Sequence, residues 1–555
     1  MALEAVNNQL VSRVSENNNV AETAQTPKAE VTGQTESDAG KASKVGELEN
    51  RANQLKFNIV NRPADPPPPK DFNKETTVTK VGSQVVIDAG AGDDKIAITQ
   101  NAKTGEVTVN VNGASKTFSK AESENLVVKA GDGNDTINVG KGVTVKVRLE
   151  GEKGNDTIAV DKDVTARQFI SGGDGDDTLT GGAGDDKIEA GAGDDTVDGG
   201  SGDDYINGSI GKDTLKGGIG NDVIYGGGDN DSIDGGDGND YLEGSKGNDT
   251  IAGGKGTDVL SGGIGDDTLR GGDGDDVLYA GQGKDQLFGD KGNNTIYSQK
   301  DDQIEPGRSD AEQDKKGINN KVVSVELKGN PGGTGVVVNG SDEFKERVEA
   351  DLEMLRSSPK GRAMLQSFDD ANAATTQKDT SGKVVKKGVT VTITEETNPL
   401  NMRATFDTPG VDPTLQPAYD AKGNVTGYTK GTPGSSTIYY STDIMLKVKG
   451  ADNSVVDFLP SVSLFHEMAH AYDYTHGTLR GDVYTGKDTI DANVSEAERV
   501  ATGLEMDHDA NPKTGEKLDS VNHSDDLTEN ALRAEMNRNK REHYGFKLPI
   551  QIIRD

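Results

Sequence analysis

From Gly172 to Tyr297 the chain repeats every nine residues without an insertion, as GGDGDDTLT, GGAGDDKIE, AGAGDDTVD, GGSGDDYIN and so on through 14 units in 126 residues. The eighth position is aliphatic in every unit, from Leu179 to Ile296. The sixth is Asp177, Asp186, Asp195, Asp204, Asp213, Asp222, Asp231, Asp240, Asp249, Asp258, Asp267, Asp276 and Asp285, then Asn294 in the last unit. Glycine at the start of each unit permits a tight turn with positive φ. The three residues that follow the aspartate suit a short strand whose middle side chain points inward. Two units then make one coil of a flattened parallel roll, so the block predicts about seven coils and, at ~4.8 Å per coil, a length of roughly 34 Å. Its core is a single aliphatic ladder on each side, which is thin.

The same periodicity stacks the aspartates. The block holds 28 acidic and 8 basic residues, a net charge of −20. Uncompensated, that charge opposes folding. A hard dication with oxygen ligands reverses the problem, and Asp carboxylates with turn carbonyls are calcium ligands. Folding and calcium binding are therefore expected to be one event, with the thirteen aspartates above as the calcium set. The block resembles the RTX family of calcium-binding β-rolls, whose G-G-x-G-x-D-x-U-x unit it follows almost throughout. Single units recur earlier, at AGAGDDKIA from Ala89, AGDGNDTIN from Ala130 and GEKGNDTIA from Gly151.

Outside the roll the composition changes. Residues 1–78 are rich in Asn, Gln, Thr, Ser and Glu and end near PADPPPPK, which predicts a disordered region closing in a proline linker. Residues 79–171 are expected to be an irregular β segment leading into the roll at 172–297, and 298–320 a second linker. Residues 321–555 have globular patterning. There, SDEFKERVEADLEMLRSS places Phe344, Val348, Leu352 and Leu355 on one helical face, with Ser341 or Asp342 as N-cap. VTVTITEE and STIYYST read as strands, the second expected to pair with an extended substrate. The whole chain carries a net charge of −34, which argues against nucleic acid and anionic membrane surfaces as partners. It has no cysteine and no run of 18 apolar residues, so thiolate metal sites and transmembrane helices are not expected. The N-terminus lacks a basic start followed by an apolar run, so no cleavable signal peptide is expected.

PSVSLFHEMAHAYDYTHG, from Pro460 to Gly477, predicts a helix packed through Val462, Phe465, Met468, Ala469 and Tyr472. It carries H-E-x-x-H as His466, Glu467 and His470, within the last 90 residues that hold all six histidines of the chain. At i and i+4 the two imidazoles share a helical face and a cation. Glu467 beside them suits a general base, and imidazole ligands without thiolate point to catalytic zinc. Two residues compete for the third ligand. His476 has the spacing of H-E-x-x-H-x-x-G-x-x-H, but Asp473 stands where that pattern uses a helix-breaking glycine. Glu498, in SEAERVATGLE, lies 28 residues beyond His470 and opens a second helical segment.

Residues from about Val336 to Phe546 resemble the NleD-like effector zinc metallopeptidases (peptidase family M91). The matching pieces are VVVNGSDEFKERVEADLEMLRSSPKGRAML, GTPGSSTIYYS, HEMAHAYDYTHG, ERVATGL and TENALRAEMNRNKREHYG, in the family's order. The resemblance implies an α+β zincin-like fold, zinc on His466, His470 and Glu498, Glu467 as base, and Tyr544 as oxyanion stabiliser. It does not depend on a histidine at His476, which favours Glu498. The expected whole is a multidomain chain: a disordered N-terminus, a calcium-folded roll and a zinc endopeptidase acting on a protein substrate, with a host signalling protein among the expected targets. The implied setting is secretion from a bacterium, with delivery to host cells as one route. Two alternatives carry different functions: a calcium-binding adhesin with an inert C-terminal domain, and a serralysin-like extracellular protease, whose domain order is the reverse of this one.

Overall fold

Glycine-rich turns alternating with three-residue strands leave the chain one way to bury its aliphatic ladder, which is to coil. The computed structural model of the protein describes residues 76–305, 318–326, 330–378, 384–386, 388–396, 402–407, 416–419, 425–429, 433–441, 446–449, 455–476 and 529–537. Within the repeat, every second unit contributes to one parallel sheet and the intervening units to the other. Lys187–Ala192, Tyr205–Ile210, Val223–Gly228, Tyr241–Ser245, Val259–Ser261 and Val277–Tyr279 follow one another in the first sheet. Thr178–Gly182, Thr196–Ser201, Thr214–Ile219, Ser232–Asp237, Thr250–Lys255 and Thr268–Asp273 form the second. Partners are 18 residues apart, as in Ile206 against Ile224 and Leu242 against Leu260. The eighth-position side chains from Leu179 to Ile296 are all buried in one continuous core. Tight stacking makes glycine obligatory in places. At Gly238, φ is +156° and an added Cβ would collide with the carbonyl oxygen of Gly220 in the coil below.

The boundaries of the roll differ from the expected ones at both ends. Residues 79–171 are in step with the repeat rather than irregular. Their strands join the same two sheets, with partners 21 residues apart, as in Val128 against Leu149 and Ile137 against Ile158. The three extra residues per coil fall in the connections, so the strands keep register. An antiparallel hairpin, Val107–Val111 with Ala114–Phe118, flanks this end. At the other end, Ile318–Ser324 pairs in parallel with Gly292–Ser298, and Gln303–Ile304 with Gln286–Leu287. Residues expected as a linker and as the start of the peptidase region thus extend the roll. The alternating sequence INNKVVS makes a strand without the glycine-aspartate signature. Most of the expected disordered region, residues 1–75, lies outside the described residues.

The C-terminal region builds a four-stranded sheet in the order Val336–Asn339, Val391–Glu395, Ser436–Tyr440, Arg403–Phe406. The first three are parallel and the last is antiparallel. Helices Asp342–Ser357 and Pro359–Thr375 pack on one another. Ser341 caps the first by accepting from the Phe344 amide at 3.1 Å, and Phe344, Val348, Leu352 and Leu355 are buried as the pattern predicts. STIYYST was expected to pair with substrate, but Ser436–Tyr440 has a strand on each side, Val391–Glu395 and Arg403–Phe406. Both its edges are occupied, so it has no backbone groups left for a peptide.

The two regions share a core. Tyr205, Tyr225, Tyr241, Val259, Val277 and Tyr279 project outward from the first sheet of the roll and form one buried cluster with Phe344, Val348, Leu352, Leu355 and Phe465. The opposite sheet shows Thr178, Thr196, Thr214, Ser232 and Thr250 at the matching positions, all exposed.

Candidate functional site

The first site runs along the roll. Each sixth-position aspartate is buried at its turn, and one carboxylate oxygen accepts the amide of the aspartate one coil earlier. Asp177 N donates to Asp195 Oδ1 at 2.7 Å, Asp204 N to Asp222 Oδ1 at 2.8 Å, and Asp249 N to Asp267 Oδ1 at 2.8 Å. The second oxygen, Oδ2, is buried without a hydrogen-bond partner at Asp177, Asp186, Asp195, Asp204, Asp213, Asp222, Asp231, Asp249, Asp267, Asp276 and Asp285. A buried carboxylate oxygen with no donor is costly. The cost appears in the acidities: burial, opposed by the amide bond and reinforced by neighbouring carboxylates, pushes Asp186 up to about 9 and Asp222, Asp231 and Asp267 to about 8.

These orphaned oxygens face backbone carbonyls. A Cβ added at Gly199 would lie 2.5 Å from Asp204 Oδ2 and 2.8 Å from the carbonyl oxygen of Gly217, and one at Gly244 would lie 2.5 Å from Asp249 Oδ2 and 2.6 Å from that of Gly262. Carboxylate and carbonyl oxygens converge beside a hydrogen-sized surface at each turn. Among the described residues no three His, Asp or Glu side chains gather at one point, so the cradles rely on carbonyls. An all-oxygen donor set with uncompensated negative charge fits calcium. Asp240 and Asp258 occupy the same buried turn position.

The second site lies on the helix Pro460–His476. Its apolar side chains Val462, Phe465, Met468 and Ala469 are fully buried, as predicted. They seat it against Ser436–Tyr440, Arg403–Phe406 and the helices Pro359–Thr375 and Glu529–Glu535. This packing fixes the face that carries the motif. The His466 and His470 rings lie 5.0 Å apart between centroids, edge to face at 87°. His466, Glu467 and His470 are 7, 8 and 7% exposed, so all three are accessible only from one side. Two converging imidazoles with a carboxylate between them fit the nitrogen-and-oxygen donor set of zinc.

His476 takes a different course. The helix continues through Asp473 and reaches His476 without a turn. The His476 ring stacks on Tyr472, centroids 3.9 Å apart, with Nδ1 3.0 Å from the Tyr472 carbonyl oxygen and 3.0 Å from Thr475 Oγ1. Glu498 and Tyr544 lie outside the described residues, as do His508, His523 and His543.

Comparison with protein families agrees with both halves. Segments 127–143, 171–206, 207–242, 234–269 and 261–296 match the RTX calcium-binding nonapeptide repeat, and residues 333–544 match Peptidase M91, described as an effector protein. The chain joins RTX calcium-binding repeats to a Peptidase M91 effector domain. A search of the curated proteins gave no match. The M91 match spans the motif helix, the four-stranded sheet and all the expected site residues, Glu498 and Tyr544 included. The aromatic face by which the roll meets the M91 domain was missed in the sequence. Its signal is an 18-residue alternation laid over the 9-residue one. Position seven reads Tyr205, Val223, Tyr241, Val259, Val277 in alternate units and Thr178, Thr196, Thr214, Ser232, Thr250 in the others.

Proposed function

We propose that this chain is a secreted bacterial zinc endopeptidase effector whose calcium-folded roll accompanies an M91 domain that cleaves a protein substrate. The reading is carried by one observation: His466 and His470 stand side by side on a buried helix with Glu467 between them, inside the region that matches the effector peptidase family. His466, His470 and Glu498 would hold zinc, with His476 as the weaker third ligand. A zinc ion there would supply Lewis acidity toward water and the scissile carbonyl. The Glu467 carboxylate accepts a proton from the attacking water and returns it to the leaving nitrogen. The Tyr544 hydroxyl donates a hydrogen bond to the oxygen that gains negative charge. The substrate is laid out along Arg403–Phe406, whose far edge has no partner strand among the described residues and which packs against the motif helix.

The thirteen aspartates of the roll take calcium at millimolar concentration, as found outside cells. Calcium neutralises the ladder and folds residues 79–300. The polar, acidic surface and the effector domain fit export from a bacterium and action on a host signalling protein. The test is Glu467→Gln, which keeps the helix and its imidazoles. Purified variant is expected to retain zinc, measured by atomic emission, and to lose cleavage of peptides and denatured protein. Persistent cleavage, or loss of zinc, would remove Glu467 from the role of base.

A further inference from the structure

The roll presents the M91 domain with a surface that repeats every coil. An apolar helix docked on such a surface meets nearly the same contacts after a shift of ~4.8 Å, so Tyr and Val side chains alone do not define one position. A polar contact breaks that degeneracy. Tyr225, from the strand Val223–Gly228, donates its hydroxyl to Asp351 Oδ1 at 2.9 Å. The second oxygen of Asp351 lies 3.0 Å from the hydroxyl of Tyr440, and that hydroxyl lies 2.9 Å from the carbonyl oxygen of Pro460. Pro460 is the first residue of the helix that carries His466 and Glu467. Tyr225 and Asp351 are 1% exposed and Tyr440 is fully buried, so water cannot substitute for a lost partner. Arg347, one helical turn before Asp351, lies over the Tyr225 ring at 3.9 Å and holds it in place.

We propose that Asp351 is a positioning residue that ties the start of the motif helix, through Tyr440, to Tyr225 of the calcium-folded roll, so that calcium sets the order of the catalytic helix. The physical basis is the cost of a buried carboxylate. With both tyrosines in place its two oxygens are satisfied. When the roll unfolds, Tyr225 leaves, and one oxygen remains in an apolar interface without its donor. The domain then relaxes at Asp351, and the relaxation reaches Pro460 through a single side chain. From there His466 lies six residues along the helix, ~9 Å at the helical rise. The tie rests on the zinc-peptidase reading for its consequence in catalysis, but not for its existence.

The experiment uses the full chain and hydrogen–deuterium exchange of peptides covering 460–476 and 223–260, followed across a calcium titration. In the wild type, protection of both segments is expected to rise at one calcium midpoint. Tyr225→Phe keeps the ring and removes the hydroxyl. It is expected to leave the roll midpoint in place and to speed exchange in 460–476 by about 10- to 100-fold, the effect of losing a hydrogen bond to a charged group. Tyr440→Phe, on the other side of the tie, is expected to do the same, so that an unforeseen folding defect in either variant leaves the other to decide. In a peptide-cleavage assay both are expected to lower kcat with KM and zinc content unchanged. Equal protection of 460–476 with calcium and with chelator, or exchange unaffected by both substitutions, would overturn the tie. Absence of cleavage by the wild type would count against the peptidase reading alone, because the exchange result stands without it.

Discussion

Replacing Leu242 by Ala tests whether the eighth-position ladder is the core that calcium folding completes. Leu242 is fully buried and stacks between Ile224 and Leu260 of the neighbouring coils. Those coils cannot close on a void, because backbone bonds such as Tyr241 N to Asp222 O at 2.8 Å and Val259 N to Asp240 O at 2.9 Å fix their spacing. Truncation of a buried leucine costs between about 2.7 and 5 kcal/mol, and a site that does not collapse belongs in the upper part, at about 4 kcal/mol. Folding is linked to calcium, so the loss appears as a higher calcium midpoint. The factor depends on how many ions bind in the transition: roughly 900-fold for one ion, but only about three-fold for six bound together. Far-UV circular dichroism during calcium titration measures it, and the size of the shift reports the number of ions in the cooperative unit. Thr250→Ala, at an exposed position of the outer sheet, is the control and should change stability by less than ~0.5 kcal/mol. An unchanged midpoint in Leu242→Ala would refute the ladder as the core of a calcium-folded roll.

Two further outcomes are expected. Glu498→Ala should lose most of its zinc after dialysis while His476→Ala keeps it, since His476 is stacked on Tyr472 in an unbroken helix; the opposite pattern would move the third ligand to His476. With calcium chelated, the roll should be better ordered by circular dichroism near pH 5 than near pH 8. Burial raises Asp186 to about 9 and Asp222, Asp231 and Asp267 to about 8, above the unfolded value near 3.9. The folded metal-free state therefore binds more protons than the unfolded one, and stability falls as pH rises through this window. Order that increases with pH in chelator would contradict the buried ladder.

Much of the roll was legible because its information is local. A residue at position eight faces inward whatever surrounds it, and the sixth-position aspartate follows from the turn. The extent of the roll was not, because INNKVVS at 318–324 joins the ladder by pairing with a strand formed about 26 residues earlier, and no glycine-aspartate motif marks it. STIYYST illustrates the same limit. Its alternation identifies a strand, but nothing in five residues tells an interior strand from an edge one. At the metal site, the spacing of His466 and His470 fixes their common face through helical geometry. The third ligand comes from a distant segment, so its choice rested on resemblance to a family. The docking face was written in the sequence as tyrosine and valine at alternate seventh positions, hidden by the stronger nine-residue period.

The aspartate ladder also gives the roll a direction of growth. Each coil's turn amide is accepted by a carboxylate that belongs to the coil after it, as Asp213 N donates to Asp231 Oδ1 and Asp231 N to Asp249 Oδ1. A coil is thus finished by its successor and never by its predecessor. A chain leaving a ribosome or a secretion pore with its N-terminus first always exposes one unfinished turn at its trailing end. The series closes only when Asn294, whose amide donates to Asn320, supplies the last acceptor for Asp276. Threading and folding thereby run in opposite senses: the part that emerges last is the part from which the polar ladder is sealed.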